Sequence, residues 1–456
     1  MARSEYVVIR GGRIVDPSQN LDVVGDLIIE RDRIVGVAPR GGAGTPDGAS
    51  IIDATGLVIS PGFVDVHTHL RQPGQEHKET IATGTRAAAR GGFTTICSMA
   101  NTTPVIDNRG LVEYVQRIAR SEGVVRVLPL AAMTIGLAGK ELVEMADLSD
   151  AGVVAFSDDG IPTRDSRVMR HAFEYARRFE KPLMPHCDDP DLMGDGAMHE
   201  GMVSARLGIP GMPGAGEEIM VGRDVALAGL TDGRLHVCHV SVAGAVRQIR
   251  MGKEQGIRVT GEATPHHLTM TDAWVSGERW DGAKGDPYDS NTKMNPPLRT
   301  EEDRQALVSA LKDGTLDAIA TDHAPHSSED KHQEFGSAAF GIVGLETALA
   351  TVMRLVHRGE IDLRLAIEKM TVGPARVFNL PYGTLRAGAA ADVTVFDPNF
   401  VWRVDPSASA SLGRNTPLAG LTVRGQVMVT MYGGQTVHVD EAARGRVDPG
   451  AMSPEP

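Results

Sequence analysis

Apolar and polar positions along the chain fall into two textures. Over residues 5–57, short runs that alternate apolar with polar side chains (YVVIRGG, GDLIIERDRIVGV, SIIDATG) are separated by Gly, Pro and Asp turns. A period of two turns one face of an extended chain toward a core, so these runs predict antiparallel strands. Residues 383–439 repeat the texture (GTLRAGAAADVTVFDP, LTVRGQVMVTMYGGQTVHV). Neither stretch can close a core alone, so residues 1–57 and 381–440 are expected to pair into one small β-sandwich built from both chain ends. Beyond Asp440 the chain (ARGRVDPGAMSPEP) has few apolar residues, and 441–456 is expected to be a flexible tail.

The second texture fills residues 58–380. A short apolar, β-rich run ends in a polar cluster and is followed by a helical stretch rich in Ala, Leu, Arg and Glu. Eight such runs occur: PGFVDVHTH, GFTTICSMAN, VVRVLPLAA, GVVAFSDDG, KPLMPHCDD, RLHVCHVS, IRVTGEATPHH and LDAIATDHAPH. Strands alternating with helices imply a parallel sheet, and eight units predict an α/β fold of the (β/α)8 TIM-type barrel class. In nearly every unit the His, Asp or Asn lies at the C-terminal end of the run. Those ends open on one face of a parallel barrel, the face that carries active sites in this fold.

Composition narrows the function. With 41% hydrophobic and 23% charged residues the chain reads as a globular protein with a sizeable core. A net charge of -13 argues against nucleic acid or an anionic membrane as partner, and it requires that any anionic substrate be drawn in by local cations. The start of the chain has no signal-peptide pattern, and no window reaches the ~18 apolar residues of a membrane span, so a cytoplasmic protein is expected. Cys97, Cys187 and Cys238 are too few and too scattered for a disulfide framework or a zinc knuckle, and they read as free thiols used in packing.

His67 and His69 sit two apart at the end of the first run, where both rings can face the same side and share one metal ion. Asp159 ends the fourth unit, His186 the fifth, His239 the sixth and Asp322 the eighth. Four imidazoles and two carboxylates on one rim exceed the needs of a single zinc. They suit two ions, Zn2+ first and Mn2+ or Co2+ as alternatives, with a carboxylate as bridge.

The segments FVDVHTHLRQPG, MANTTP, FSDDG, PHCDD, HVCHVS, GEATPHHL, KMNPPLR, ATDHAPHS and FGIVGLET together resemble the dihydroorotase family, in its bacterial form that bridges the metals with an aspartate instead of a carboxylated lysine. The resemblance spans about Asp53 to Asp397. It implies two Zn2+ per subunit: one held by His67, His69 and Asp322, the second by His186 and His239, with Asp159 between them. Of the two aspartates in FSDDG the family spacing to His186 selects Asp159, with Asp158 as the alternative. It further implies that Arg71, Asn101 and His326 hold a substrate carboxylate, that Asn295 and the backbone near Gly341 read the ring amide, and that Asp322 moves the proton between nucleophile and leaving nitrogen. The expected reaction interconverts N-carbamoyl-L-aspartate and L-dihydroorotate. A small molecule would then be the substrate and a homo-oligomer the assembly, and association with aspartate transcarbamoylase is left open. One departure stands out: Ala100 in MANT, where the family usually has proline.

Other residues read as structural. His236 lies inside an apolar run and is expected to be a buried structural imidazole. His266 and His267 are expected to orient a loop or the ligands. His323, adjacent to Asp322, would face the opposite way, and His77 is unassigned. Gly11-Gly12 and Gly91-Gly92 lack a phosphate-loop continuation and read as turns. The run Glu301, Glu302, Asp303, Arg304 reads as an acidic helix start. Two rival functions remain. A dihydropyrimidinase, hydantoinase or allantoinase would need a bridging lysine, yet no lysine occurs between Lys140 and Lys181. A catalytically inactive scaffold for aspartate transcarbamoylase would have lost ligands, yet all six are present.

Overall fold

The computed structural model describes residues 5–39 and 46–452. Both chain ends enter one eight-stranded sheet. Tyr6–Asp16, Leu21–Glu30 and Arg33–Pro39 pair antiparallel in succession. Ser50–Asp53 and Val58–Pro61 lie parallel to the first of these, which departs from the all-antiparallel expectation. Val58–Pro61 then joins Val393–Arg403, and Thr422–Tyr432 and Gln435–Val439 complete the path. The alternation seen in the sequence becomes a core of Ile9, Ile14, Leu27, Ile29, Ile59, Val393, Val395, Val429 and Met431, with residues from both ends in one cluster.

The expected tail is a correction. Ala443, Val447 and Ala451 are buried in this same core, and Ile52 and Thr436 bridge to Val447 and Met452. The Asp440 side chain caps the first of the two short turns that carry them, and Asp448, at the head of the second, accepts instead from the Ile51 backbone N–H at 2.8 Å. Three small or medium apolar side chains at well-spaced positions suffice to fasten a segment that overall composition marks as loose. Residues 453–456 lie outside the described part.

Between the ends, parallel pairings run in a circuit. Phe63–Thr68, Phe93–Ser98 and Arg126–Pro129 are neighbours. Single bridges then lead from Ala131 to Phe156, on to Leu183 and on to Leu235. Leu235–Val237, Val259–Ala263 and Ala318–Ile319 follow, and Thr68 bridges back to His323. Helices connect successive members. Ile81–Arg90 starts at a capping box of Thr80 and Thr83 and buries Ile81, Gly84, Ala87 and Ala88, one face at helical spacing. Glu301–Asp313 begins with three acidic residues behind the Thr300 cap, as the charge pattern predicts. Among the described residues no helix is long and apolar enough to cross a membrane.

Phe63 ties circuit to sheet. Its ring meets Phe93 edge-on at 5.6 Å and Phe396 of the sheet at 6.1 Å, and all three are fully buried. The first strand of the circuit, which ends in His67 and His69, is thereby anchored at its other end.

The hairpin joining the last two strands turns on Gly433 and Gly434, at φ 54° and 70°, the left-handed pair that a two-residue hairpin requires. A Cβ on Gly433 would meet nothing, whereas one on Gly434 would collide with the Arg31 carbonyl. Gly433→Ala should therefore lose only the left-handed penalty of ~1–2 kcal/mol. Gly434→Ala should lose more than ~3 kcal/mol, because backbone has to move. Urea midpoints of the two variants compare them directly, and equal midpoints would contradict the packing described.

Candidate metal and substrate site

The circuit brings the C-terminal ends of its members to one face, and there the six side chains singled out in the sequence meet. His67 Nε2 lies 3.7 Å from Asp159 Oδ2 and 3.5 Å from Asp322 Oδ1. His69 Nε2 is 3.4 and 3.1 Å from the same two atoms. Asp159 Oδ1 faces His186 Nδ1 at 3.5 Å and His239 Nε2 at 3.3 Å. Asp159 thus stands between a His67, His69, Asp322 group and a His186, His239 pair. Asp158 is ruled out as the central carboxylate: it points away and binds the backbone N–H of Met133 and Thr134 at 2.7 and 3.1 Å.

The outward nitrogens of these rings are fixed in turn. His69 Nδ1 pairs with Asn101 Oδ1 at 2.9 Å, His186 Nε2 with Asp188 Oδ2 at 2.9 Å, and His67 Nδ1 with Glu262 Oε1 at 2.6 Å. An imidazole whose far nitrogen donates to oxygen turns a lone pair toward the centre, as metal ligands do. His67 Nε2 is buried and has no hydrogen-bond partner.

Electrostatics point the same way. Burial opposes charge on both Asp159 and Asp322, yet the surrounding histidines, His67 foremost, hold both carboxyls well below the usual range. Burial likewise opposes protonation of His67 and His186, but Glu262, Asp159 and Asp322 lift the first and Asp188 with Asp159 lifts the second to about 10. The carboxylates demand positive charge at the centre and, without a cation, draw it as protons onto imidazoles. A donor set of nitrogen and carboxylate oxygen, buried and with an orphaned nitrogen, fits a divalent ion.

His69, Arg71, Asn101, Asp159, His186, His239, Asn295, Asp322, His326 and Gly341 line one cavity of about 210 Å³ that opens to solvent. Burial lowers Arg71 to about 10, so it remains a cation at neutral pH. Its Nε donates to Pro325 O at 3.2 Å, and Nη2 lies 3.3 Å from His326 Nε2. His326 Nε2 donates to Phe340 O at 2.7 Å, and burial and then the Arg71 charge lower this imidazole to about 3, so it is neutral. Asn295 Oδ1 is buried without a partner, an acceptor left for a ligand. Both backbone groups of Gly341 are engaged: N–H with Lys293 O at 3.0 Å, and O with Asn415 Nδ2 and Lys331 Nζ at 3.0 and 3.1 Å.

Arg71, His239 and Asp322 have φ of 58°, 31° and 48°, the strained left-handed region that clusters at functional sites. Ala100 is buried and its carbonyl accepts from Thr102 and Ile106 N–H, so the loop carrying Asn101 is held without a proline. His323 faces away, with Nε2 3.3 Å from Glu79, and His77 is exposed. His267 bonds Pro296 O at 2.9 Å and so steadies the segment that bears Asn295.

The sequence reading gave no role to Glu262, Asp188 or Lys331. Glu262 was visible as an acid within a β-rich run, a placement that demands a buried partner, whereas Asp188 was one of two adjacent aspartates in a polar cluster. Lys331 lay in a polar segment with no such contrast.

Comparison with known proteins agrees on one family. A model described as Dihydro-orotase-like matches residues 56–244. A dihydroorotase of Anaeromyxobacter dehalogenans (strain 2CP-1) is 51% identical over 440 residues, 96% of this chain and 99% of the relative. One of Syntrophus aciditrophicus (strain SB) is 47% identical over 435 residues, 95% and 100% of the two chains. Among solved structures, an L-hydantoinase (dihydropyrimidinase) from Arthrobacter aurescens superposes with a TM-score of 0.83 at 23% identity over 98% of both chains. A dihydropyrimidinase from Brevibacillus agri NCHU1002 gives 0.81 at 24% identity over 98% and 97%. At these identities the structural likeness is one of fold.

Lys331 generates a pH prediction. Its buried ammonium donates to the carbonyls of Lys293, Ala339 and Gly341, and burial lowers it from 10.5 to about 7. Between those values the unfolded chain binds the extra proton, so stability should rise with pH across that window, whereas below pH ~7 the cost of the buried charge is carried in full. Lys331→Met should rise less from pH 7 to 10 than the parent does in urea midpoint. Parallel curves would contradict this role of the buried amine.

Proposed function

The chain belongs to the dihydroorotase family, and we propose that its cavity opens and closes the ring amide of L-dihydroorotate at a pair of divalent cations, zinc by donor chemistry. The family makes the chain a cyclic amide hydrolase of pyrimidine biosynthesis. In this reading the circuit of parallel pairings is a (β/α)8 barrel over about 58–380, and the terminal sheet is folded into a β-sandwich beside it. The carrying observation is the convergence of four imidazoles and two carboxylates, all but the fully buried His67 lining one cavity that also holds a buried arginine.

His67, His69 and Asp322 would hold one ion, His186 and His239 the other, with Asp159 shared. Bound there, divalent ions would supply a hydroxide at neutral pH and polarise the ring carbonyl. Arg71 takes the substrate carboxylate through its guanidinium fork, and Asn101 Nδ2, which makes only long contacts of 3.3 and 3.4 Å to Asp159, adds a donor. The unpartnered Asn295 Oδ1 accepts the ring N–H. Asp322 Oδ1 faces His67 and His69, and Oδ2 carries the proton from nucleophile to departing nitrogen. His326, being neutral, positions Arg71 and Phe340 rather than adding charge to the clamp. Gly341 reads the ring only if its N–H exchanges Lys293 O for substrate. A lysine-bridged ring amidase is disfavoured by Asp159 at the bridge and by Arg71 in a cavity that a carboxylate-free ring would leave with an unpaired charge.

Three measurements test the proposal. Purified protein with measured metal content should turn over dihydroorotate and not dihydrouracil, hydantoin or allantoin. Asp159→Ala should lose at least one equivalent of metal by elemental analysis; retention of two ions would reject the bridge. Arg71→Ala should raise KM for dihydroorotate roughly 10- to 100-fold with metal retained, the worth of a charged hydrogen-bonded pair. An unchanged KM would remove Arg71 from the clamp.

A further inference from the structure

Glu262 lies beneath the six side chains, wholly buried at the end of the strand Val259–Ala263. A lone carboxylate there costs several kcal/mol unless its neighbours require it. Its ion-pair partners are two imidazoles. Oε1 accepts the His67 Nδ1 proton at 2.6 Å and the His239 backbone N–H at 3.2 Å. Oε2 meets His236 Nε2 at 3.0 Å, and His236 Nδ1 continues to Thr260 Oγ1 at 2.8 Å. One carboxylate on the strand Val259–Ala263 thus grips residues from two other members of the circuit.

We infer that Glu262 is a positioning residue that keeps the His67 proton on Nδ1 and pins the backbone of His239, so that both rings present Nε2 to the cation pair. The inference rests on the reading of these histidines as metal ligands. The tautomer follows from chemistry: a carboxylate oxygen can only accept, so Nδ1 donates, and once the ring gives up its extra proton to a cation it is Nε2 that holds the lone pair. That Nε2 is the buried nitrogen without a partner, directed between Asp159 and Asp322. His239 has φ 31°, a conformation unfavourable for a residue with a Cβ, and its N–H is held by the same Glu262 oxygen. His236 occupies the other oxygen and leaves Oε1, held by its own two donors, turned to His67 and His239.

The test compares Glu262→Gln and Glu262→Ala with His236→Gln, which cuts the Oε2 side alone. Zn2+ is titrated into metal-free protein against a chromophoric chelator, the Co2+ absorption spectrum is recorded, and the thermal midpoint of each metal-free chain is measured. Glu262→Gln should weaken Zn2+ binding about 10- to 100-fold, the usual effect of losing a carboxylate behind a ligand histidine, with a shifted Co2+ spectrum and a metal-free midpoint near that of the parent. His236→Gln should weaken binding far less. Zn2+ affinity equal in Glu262→Gln and parent overturns the inference, as does an equal loss in His236→Gln, which would mark a packing effect. If Glu262→Ala does not fold, the isosteric Gln variant decides alone. A parent that binds no Zn2+ defeats the metal reading instead, a distinct outcome.

Discussion

Buried negative charge is the constraint around which the site is arranged. Asp159, Asp322 and Glu262 are all at most 7% exposed, and Asp188 stands beside them. Carboxylates out of water are tolerable only where positive charge or donors compensate them. Here the compensating groups are imidazoles, which can hold a proton or give up a lone pair. Exchanging protons for divalent cations would relieve the same demand with the same atoms, so the proposed cation site and a charge-balanced metal-free fold are compatible with one arrangement.

The framework supplies the precision this needs. The six side chains ride at the ends of five members of the circuit, His67 and His69 sharing the first, so backbone pairing sets where each can stand. His69 illustrates this: its N–H donates to His323 O at 2.9 Å, which closes the circuit at the residue that also faces Asp322 and Asp159. At the far end of the same strand, Phe63 is locked between Phe93 and Phe396. Left-handed backbone at Arg71, His239 and Asp322 costs ~1–3 kcal/mol each and persists because the surroundings hold it.

Much of this was legible in the sequence because parallel strand ends share a face. Once the eight runs are recognised, His67, His69, Asp159, His186, His239 and Asp322 must lie near one another, and they do. What the pattern could not convey was orientation. Asp158 and Asp159 are indistinguishable by type, and only the backbone N–H groups of Met133 and Thr134 claim the first and leave the second for the centre. Gly341 falls beside the cavity as expected, but its peptide groups are already paired, which no motif reveals. The C-terminal segment was misread for a related reason: average composition describes a chain, whereas anchoring needs only Ala443, Val447 and Ala451 at the right spacing. The fourth and fifth members pair through single bridges, yet their apolar runs look no weaker than the others.

Net charge and local charge pull in opposite directions, and the balance explains Arg71. A chain of net charge -13 repels an anionic substrate at long range, and two carboxylates face the cavity itself. Salt screens the long-range part within a Debye length of ~8 Å at physiological ionic strength, so capture is decided by groups in contact. Among the described residues lining the cavity, Arg71 is the sole Lys or Arg. Its charge, with those of Lys78 and Lys331, helps keep His326 neutral, so no second cation shares the task. A guanidinium suits it better than an ammonium, because its planar fork can keep Nε on Pro325 O and still offer other N–H groups to a carboxylate. In the proposed reading, specificity for a ring bearing a carboxylate would follow from this one buried cation, which has no other anion to face within the cavity once Asp159 and Asp322 are engaged by cations.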